Sequence, residues 1–212
     1  MWVKRDQILS LTYLLKTEEG TFMVIIKDEE FIRGNCPMTK EDIRILSIVK
    51  MNLNENSLVL DVGSGTGSIT VQAAKIAKNG KVLAIEKEDE AFEVTESNVR
   101  KFECDNVKII KKEASKVLDN LISQNLKFDS VFIGGSSGNL EEILLKVNSI
   151  LIKNGTIVMN FITLDNAYKA IEVIKTLNYK FEVSLVNISK NRENTLMMIA
   201  NNPIYIIQCI RG

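Results

Sequence analysis

A glycine-rich segment around residue 63 carries the residue types that a nucleotide-like ligand requires. It reads Leu58-Val59-Leu60-Asp61-Val62-Gly63-Ser64-Gly65-Thr66-Gly67-Ser68, an apolar run that leads into a turn and then into a helical pattern. Glycines let the turn tighten and let a ligand approach the backbone, and the start of the following helix offers unpaired N–H groups. A second acid, Glu86, stands 19 positions after Gly67, at the end of the next strand-like run. A carboxylate at that place suits the two hydroxyls of a ribose.

Asp61 indicates which nucleotide the pocket prefers. A carboxylate at the end of the strand would lie close to the pyrophosphate of a dinucleotide, and two like charges about 4 Å apart repel by on the order of a few kcal/mol at intermediate dielectric. The dehydrogenase pattern G-x-G-x-x-G also needs glycine at position 68, where the chain has Ser68. S-adenosylmethionine has no phosphate and carries an ammonium and a sulfonium group, so Asp61 favours it over NAD. The alternative is a plain strand-to-helix turn, with Asp61 held by the N-terminus of the helix and Glu86 solvated.

Strand and helix patterns alternate on both sides of this segment. Apolar, β-branched runs predict strands at 57–61, 81–86, 107–111, 130–134 and 156–161. Amphipathic patterns predict helices at 39–51, 68–78, 88–102, 114–123, 140–152 and 164–177. Thr39, followed by two acids, is predicted to cap the first of these helices, and Asn154-Gly155 to form a turn between the fifth helix and the next strand.

The order of these elements predicts the fold. Strand–helix–strand units at this spacing favour a parallel sheet with helices on both faces. The runs 180–188 and 204–210 have no helix between them, only a polar loop and a Met-rich stretch, and should therefore pair antiparallel. We expect an α/β fold with a mostly parallel seven-stranded sheet and an antiparallel C-terminal strand pair. Residues 31–212 should form one domain, and residues 1–30 an N-terminal extension packed on or beside it.

Composition excludes several classes of protein and of catalytic site. The 212 residues carry 27 basic and 27 acidic side chains, so no net charge attracts the protein to nucleic acid or to an anionic membrane. There is no histidine, which excludes His-based catalytic triads and His-ligated zinc, and no metal site is predicted. The odd number of cysteines favours free thiols in a reducing compartment. Neither a signal peptide nor a membrane-spanning run is visible, so we expect a cytoplasmic protein.

Together with three further stretches, the glycine-rich segment resembles a known enzyme family. The run from Asp61 to Gly67 looks like the first motif of class I S-adenosylmethionine-dependent methyltransferases, with Glu86 as the second-motif acid. The stretches that narrow the resemblance are Glu30-Phe31-Ile32-Arg33-Gly34 leading into Pro37-Met38-Thr39-Lys40-Glu41-Asp42-Ile43-Arg44, then Phe132-Ile133-Gly134-Gly135-Ser136-Ser137-Gly138-Asn139-Leu140, and Asn202-Pro203-Ile204-Tyr205-Ile206-Ile207. Over residues 29 to 210 the chain resembles the cobalt-precorrin-6B C(15)-methyltransferases (decarboxylating). The resemblance implies the Rossmann-like fold of class I methyltransferases.

The resemblance also implies an activity, a cofactor and an assembly. The family belongs to anaerobic cobalamin (vitamin B12) biosynthesis, methylates the C(15) meso carbon of a cobalt-precorrin macrocycle and decarboxylates its C(12) acetate side chain. The implied methyl donor is S-adenosyl-L-methionine, and the implied assembly is a homo-oligomer, by resemblance a tetramer. Carried over by position, the donor-binding residues are Thr39, Asp61, Gly63, Ser64, Gly65, Thr66, Gly67, Glu86 and Ala114.

The acceptor side is less sharply defined. The glycine-rich loop with Gly134, Gly135 and Ser136 is expected to form a floor on which a flat macrocycle lies without side-chain clashes. Because the substrate carries many carboxylates, basic residues are expected near the crevice. The candidates by chain position are Arg33, Lys40, Arg44, Lys190 and Arg192, of which Arg33 and Arg192 are retained as substrate-binding predictions. We assign no catalytic acid or base, because the meso carbon of a reduced tetrapyrrole is already nucleophilic.

Two other functions stay open at this stage. One is a class I methyltransferase that acts on another acceptor, such as protein isoaspartate or tRNA. The other is a non-catalytic S-adenosylmethionine-binding subunit, which would bind the donor without turning over any corrinoid.

Overall fold

Helices alternate with strands along most of the chain. The structure, a computed structural model, describes residues 13–16, 22–134, 139–192 and 194–212. The strands are β1 (Tyr13–Lys16), β2 (Phe22–Ile25), β3 (Leu58–Val62), β4 (Lys81–Glu86), β5 (Val107–Lys111), β6 (Phe128–Gly134), β7 (Leu151–Phe161), β8 (Lys180–Val186), β9 (Ser189–Asn191), β10 (Met198–Ala200) and β11 (Ile204–Ile210). The helices are α1 (Glu41–Lys50), α2 (Ser68–Ile76), α3 (Asp89–Lys101), α4 (Ala114–Ser123), α5 (Leu140–Ile150) and α6 (Leu164–Thr176).

Seven strands form the central sheet, in the order β5-β4-β3-β6-β7-β11-β8. Strands β3 to β7 run parallel, so that Val59 pairs with Val82 on one side and with Ser130 on the other. Strand β11 lies between β7 and β8 and runs antiparallel to both. The predicted fold class, with its antiparallel C-terminal pair, is confirmed.

Two apolar clusters cover the two faces of the sheet, because successive residues of a strand point to opposite sides. Val59 packs in the cluster that contains Ile48 of α1 and Ile69 of α2. Its neighbour Leu60 packs in the cluster that contains Leu118 of α4 and Leu144 of α5. Burial on both faces explains why the central strands read as continuous apolar runs.

The carboxyl ends of β3 and β6 flank a crevice. From β3 the chain passes through α2 to β4 on one side, whereas β6 lies on the other side of β3. Ligands of open α/β sheets bind at such a point, where connections diverge. The loop after β3 and the end of β6 approach each other closely there, since a Cβ atom on Gly134 would lie 3.3 Å from the carbonyl oxygen of Gly63.

The first long helix begins later than predicted. Helix α1 starts at Glu41, and Lys40 holds the cap position without a side-chain hydrogen bond, so the prediction that Thr39 caps this helix is wrong. The backbone of Thr39 is held by a tertiary contact instead, in which Nη1 of Arg44 donates to its carbonyl oxygen at 2.8 Å. The fully buried Arg44 also donates to the carbonyl oxygen of Ile26 at 2.5 Å and to Oδ1 of Asp28 at 2.9 Å.

The predicted turn at Asn154-Gly155 is also wrong. Helix α5 ends at Ile150 and β7 begins at once, so both residues lie inside the strand. Asn154 adopts a left-handed conformation with φ of 61°. The N–H of Asn154 donates to the carbonyl oxygen of Arg211 at 2.9 Å, and the N–H of Arg211 donates to the carbonyl oxygen of Gly155 at 3.0 Å. A contact with the end of the chain, invisible in the local pattern, therefore converts the expected turn into an irregular part of a strand.

Two small hairpins extend from the domain. Strands β1 and β2 pair antiparallel near the N-terminus, and Ile26, which follows them, is buried in the cluster that covers α1 and α2. Strands β9 and β10 pair antiparallel between β8 and β11, where the sequence predicts only a loop.

Candidate functional site

The glycine-rich loop between β3 and α2 has a conformation that its glycines make possible. Gly63, Gly65 and Gly67 all have positive φ angles, of 77°, 59° and 74°. A Cβ atom on Gly65 would lie 2.6 Å from the carbonyl oxygen of Pro37, and one on Gly67 would lie 2.9 Å from Cγ2 of Thr95. The loop is thus closely packed between the segment that precedes α1 and the side of α3.

Two buried polar residues of α3 fix this loop. The hydroxyl of Thr95 donates to the carbonyl oxygen of Gly65 at 2.8 Å and lies 3.0 Å from Oγ of Ser64. Nδ2 of Asn98 donates to the carbonyl oxygens of Thr66 at 2.8 Å and Ile32 at 2.9 Å. Sequence reasoning missed both side chains, although their spacing of three residues on the buried face of a helix is a usable signal.

Asp61 is a buried carboxyl group with one oxygen left without a partner. Its side chain is 1% exposed, and Oδ2 accepts a hydrogen bond from the Thr70 hydroxyl of α2 at 2.5 Å. Oδ1 has no hydrogen-bond partner among the described residues. Burial raises the pKa of Asp61 to about 7; the Thr70 hydrogen bond opposes this shift and the charge of Glu86 adds to it. The helix after the loop therefore holds Asp61, as the alternative prediction has it, but leaves half of the carboxylate for a ligand.

Glu86 is the last residue of β4, and its carboxylate accepts hydrogen bonds from backbone N–H groups on two sides of the crevice. Its Oε2 accepts the N–H of Gly65 at 2.9 Å, and its Oε1 accepts the N–H groups of Lys87 at 2.8 Å and Glu88 at 3.1 Å. The side chain is 8% exposed, so the alternative of a solvated Glu86 is wrong. Because each carboxylate oxygen has two lone pairs, Oε2 can still accept a hydroxyl donor.

A cavity of about 1250 Å³ opens at the carboxyl ends of these strands. Of the predicted donor-binding residues, Thr39, Asp61, Gly63, Ser64, Gly65, Glu86 and Ala114 line it. Thr66 and Gly67 belong to the same loop but do not reach the described cavity wall. The part of the wall formed by the ends of β3, β4 and β5 with the following helix starts is called the donor half here.

The donor half is acidic. Its carboxylates are Asp61, Glu86, Glu88, Asp89, Glu90 and Glu113, against two lysines, Lys87 and Lys112. Lys87 lies within 3.7 Å of both Glu88 and Glu113, so its charge is partly compensated. Such a wall attracts a cationic ligand and repels a diphosphate.

The predicted acceptor-side residues are only partly brought together. Gly134 lines the cavity, whereas Gly135 and Ser136 lie outside the described residues. Arg33 is exposed before α1, and Arg192 is exposed in the turn after β9; neither belongs to the described cavity wall.

Comparison with known proteins identifies the family. A model of the precorrin methyltransferase domain matches residues 30–200. The chain belongs to the precorrin methyltransferase family. It is thus a methyltransferase, and the resemblance that its motifs predict is confirmed.

Relatives and solved structures cover nearly the same length. The probable cobalt-precorrin-6B C(15)-methyltransferase (decarboxylating) of Sulfurisphaera tokodaii is 44% identical over 186 residues, which cover 86% of this chain and 95% of the relative. A crystal structure of precorrin-6y C5,15-methyltransferase from Geobacter metallireducens is 34% identical, with a TM-score of 0.82 over 89% of this chain and 97% of that one. A structure of precorrin 8w decarboxylase from Methanobacterium thermoautotrophicum is 29% identical, with a TM-score of 0.80 over 87% of this chain and 98% of that one.

Four of the five basic candidates of this precorrin methyltransferase are paired with other residues or lie away from the described wall. Arg44 is fully buried and ion-paired with Asp28; burial lowers its pKa, and Asp28 opposes that shift. Lys190 of β9 pairs with Asp42 of α1. Of the five basic candidates, only Lys40 lies on the described wall. Within the described ranges, no helix has the length and apolar character that crossing a bilayer requires.

Proposed function

We propose that this protein is the S-adenosylmethionine-dependent enzyme of anaerobic cobalamin biosynthesis that methylates C(15) of cobalt-precorrin-6B and decarboxylates the C(12) acetate side chain. The observation that carries the proposal is Oδ1 of Asp61, which has no hydrogen-bond partner in the described part of the chain and lies in an acid-lined cavity at the end of β3. It lies in a chain that is 44% identical to a relative named for this reaction.

The donor half fits the methyl donor residue by residue. The free oxygen of Asp61 accepts from the ammonium group, and Glu86 accepts from the ribose hydroxyls. Ala114, the first residue of α4, leaves room for the adenine and offers a helix-start N–H group. Thr39 and the backbone of residues 63–65 close the other side.

The main contribution of the protein to methyl transfer is to position the donor and the acceptor. The bound donor supplies an electrophilic methyl group on a sulfonium centre. The fixed loop and the acidic wall set the direction of approach, and correct placement contributes a large part of the rate in such reactions. The end of β6, with Gly134, presents backbone rather than a bulky side chain to the macrocycle. The carbon is already nucleophilic, so no side chain needs to activate it by removing a proton before the methyl group is transferred, which agrees with a chain that has no histidine.

Turnover of the purified protein tests the assignment. With S-adenosylmethionine and cobalt-precorrin-6B we expect a singly methylated, decarboxylated product and one equivalent of CO₂, followed by mass spectrometry and CO₂ trapping. Methylation of tRNA or of an isoaspartyl peptide instead would contradict the acceptor. Donor binding without turnover of any corrinoid would favour the non-catalytic subunit.

The C-terminal strands offer a surface for assembly, which supports a homo-oligomer, by family resemblance a tetramer. Strand β8 is an edge strand, paired within the described chain to β11 alone. Its alternate residues Phe181, Val183 and Leu185 are exposed, and Leu196 and Met197 in the nearby hairpin are 96% and 64% exposed. These five residues form what we call the tail surface. Exposed apolar groups on an unpaired edge are typical of contacts between chains.

We place the enzyme in the cytoplasm, without nucleic-acid or membrane partners. Cys36, Cys104 and Cys209 are all free thiols, which suits a reducing compartment.

A further inference from the structure

Neutral amides line the part of the cavity opposite the donor half. Asn160 is the last but one residue of β7, Asn166 lies in the first turn of α6, and Asn201 and Asn202 precede β11. We call this part of the wall, with the adjoining Phe161, Ile162, Ile188 and Ile204, the acceptor half. An apolar surface with amides is suited to a flat ring system that carries polar side chains.

Most of these amides are available to a ligand. The side chains of Asn166, Asn201 and Asn202 make no hydrogen bond to any other described residue, and all three residues line the cavity. The backbone around them is nevertheless fixed. The N–H of Asn201 donates to the carbonyl oxygen of Ile188 at 2.9 Å, and the N–H of Asn166 donates to Oγ1 of Thr163 at 3.4 Å. Asn160 differs, because its Nδ2 donates to Ser47 of α1 at 2.8 Å.

Cations of the kind that a polycarboxylate would ordinarily require are scarce here. Of the basic candidates only Lys40 lines the described cavity, on the segment before α1, and none lies among the amides. Arg44 is buried under Thr39, and Lys190 is paired with Asp42. Lys50, the one lysine of α1, is paired with Glu182 of β8 at 2.6 Å. The start of α6 gives the wall a partial positive charge without a cationic side chain.

We propose that Asn166, Asn201 and Asn202 bind the carboxylate side chains of the macrocycle through neutral N–H donors, in place of arginines or lysines. This rests on the function proposed above and names the recognition chemistry of its acceptor site. Each amide has two N–H groups and a carboxylate oxygen accepts two hydrogen bonds, so the pairing is chemically balanced.

A neutral wall is compatible with both parts of the reaction. A strong cation facing the donor half would form ion pairs with its carboxylates and compete with the cationic methyl donor. An ion pair would also stabilise the acetate that is lost and so oppose its reaction. In that loss the bond between the side-chain carbon and the carboxylate breaks, CO₂ leaves, and the electron pair enters the conjugated ring. A solvent proton then adds to the side-chain carbon, which becomes a methyl group.

Single amide-to-acid replacements test this inference on the full chain. Asn202→Asp, Asn201→Asp and Asn166→Asp preserve side-chain size but place a negative charge beside the substrate carboxylates. We expect KM for cobalt-precorrin-6B to rise about tenfold or more in these variants, while the Kd for S-adenosylmethionine in calorimetry stays unchanged. Asn56→Asp adds the same charge in the exposed loop before β3, at the opposite edge of the sheet, and should leave KM unchanged.

Two comparisons separate this inference from its rival and from the function on which it rests. If cations bind the carboxylates instead, Lys40→Ala, Arg33→Ala or Arg192→Ala will raise KM more than Asn202→Asp does, and KM will rise steeply with salt. That result would overturn the inference, whereas a KM nearly independent of salt agrees with it. If the wild-type protein binds the donor but does not turn over cobalt-precorrin-6B, the proposed function itself fails. Turnover that the three Asn→Asp variants leave unaltered refutes the amide wall alone.

Discussion

At the scale of single residues, Asp61 lowers the stability of the ligand-free protein and offers a carboxylate to a cationic ligand. It is buried, one of its oxygens lacks a partner in the described chain, and the carboxylate of Glu86 adds repulsion. A buried charge of this kind destabilises a ligand-free protein, and a cationic ligand group relieves the penalty. The residue is therefore best explained by what binds to it.

The first prediction concerns the pH dependence of stability. Burial raises the pKa of Asp61 from 3.8 to about 7, so the folded protein binds a proton that the unfolded chain releases between these values. This contribution to stability is present at pH below about 4 and is lost as pH rises to about 7. In Asp61→Asn the loss is absent, so the ligand-free variant should be the more stable protein above pH 7, by up to about 4 kcal/mol.

Urea unfolding of both proteins from pH 4 to pH 8 measures this difference, with Asp105→Asn, an exposed acid, as the matched control. The same variant should bind S-adenosylmethionine at least about tenfold more weakly, because a charge-assisted hydrogen bond is lost. A variant that is no more stable at pH 8, or that binds the donor equally well, would show that Asp61 has neither role.

Residues with a local signature could be predicted from the sequence, and residues defined by distant contacts could not. Asp61, Glu86 and Gly65 lie at fixed positions along one strand–turn–helix–strand unit, so their spacing in the sequence is sufficient to predict that they share a site. Arg44 appeared as a substrate-binding candidate, because nothing in its surroundings along the chain indicates that Ile26, Asp28 and Thr39 enclose it. The amides of the acceptor half come from three separate segments and carry no motif.

At the scale of elements, the glycine-rich loop connects three parts of the fold. It begins at β3, is fixed by α3 through Thr95 and Asn98, and lies against Pro37 ahead of α1. Any change in the loop is therefore transmitted to both sides of the donor half.

Gly65→Ala should impair this loop. The left-handed φ of 59° costs a non-glycine residue about 1–2 kcal/mol, and the new Cβ atom meets the carbonyl oxygen of Pro37 at 2.6 Å. We expect a lower Tm and a loss of donor binding, measured by differential scanning fluorimetry and calorimetry. Gly212→Ala, which has open space around the new atom, is the control. A Gly65→Ala protein that binds the donor normally would mean that the loop does not form the pocket.

Arg44 links the N-terminal segment to α1, and its removal should destabilise the whole domain. Arg44→Ala leaves Asp28 and two carbonyl oxygens without their donor, in a place where the arginine is fully buried. The expected loss is about 3 kcal/mol in the free energy of unfolding, from urea titration. Arg100→Ala, whose side chain is 78% exposed, should change stability by less than about 0.5 kcal/mol. Equal effects of the two replacements would exclude the structural role of Arg44.

The bounds of helices and strands are likewise predicted well where local patterns set them and poorly where distant contacts do. Strands β4, β5 and β11 and helix α4 have the predicted bounds, because their patterns are local. The start of α1 and the position of Asn154-Gly155 are set by Arg44 and Arg211, which the local pattern does not include. The β9–β10 hairpin lies in a polar, Met-rich stretch that has no strand-like alternation.

At the scale of the whole molecule, the tail surface is the proposed contact between chains, so charges placed in it should convert the oligomer into a smaller particle. We predict that Leu196→Asp and Leu185→Asp, both in the tail surface, lower the mass of the particle in light scattering coupled to size exclusion. Charges at the centre of an apolar contact are strongly unfavourable. Leu126→Asp, at a residue that is 44% exposed before β6, should leave the mass unchanged. A wild-type protein that is already monomeric would refute the proposed oligomer.

The central claim is that the crevice between β3 and β6 binds a cationic methyl donor on Asp61 and Glu86. A crystal structure of the protein grown with S-adenosylhomocysteine, the demethylated donor, tests it most directly. We predict that the ribose hydroxyls lie on Glu86, the amino group on Oδ1 of Asp61, and the adenine beside Ala114. A ligand bound outside this crevice, or one bound there with neither carboxylate in contact, would contradict the claim.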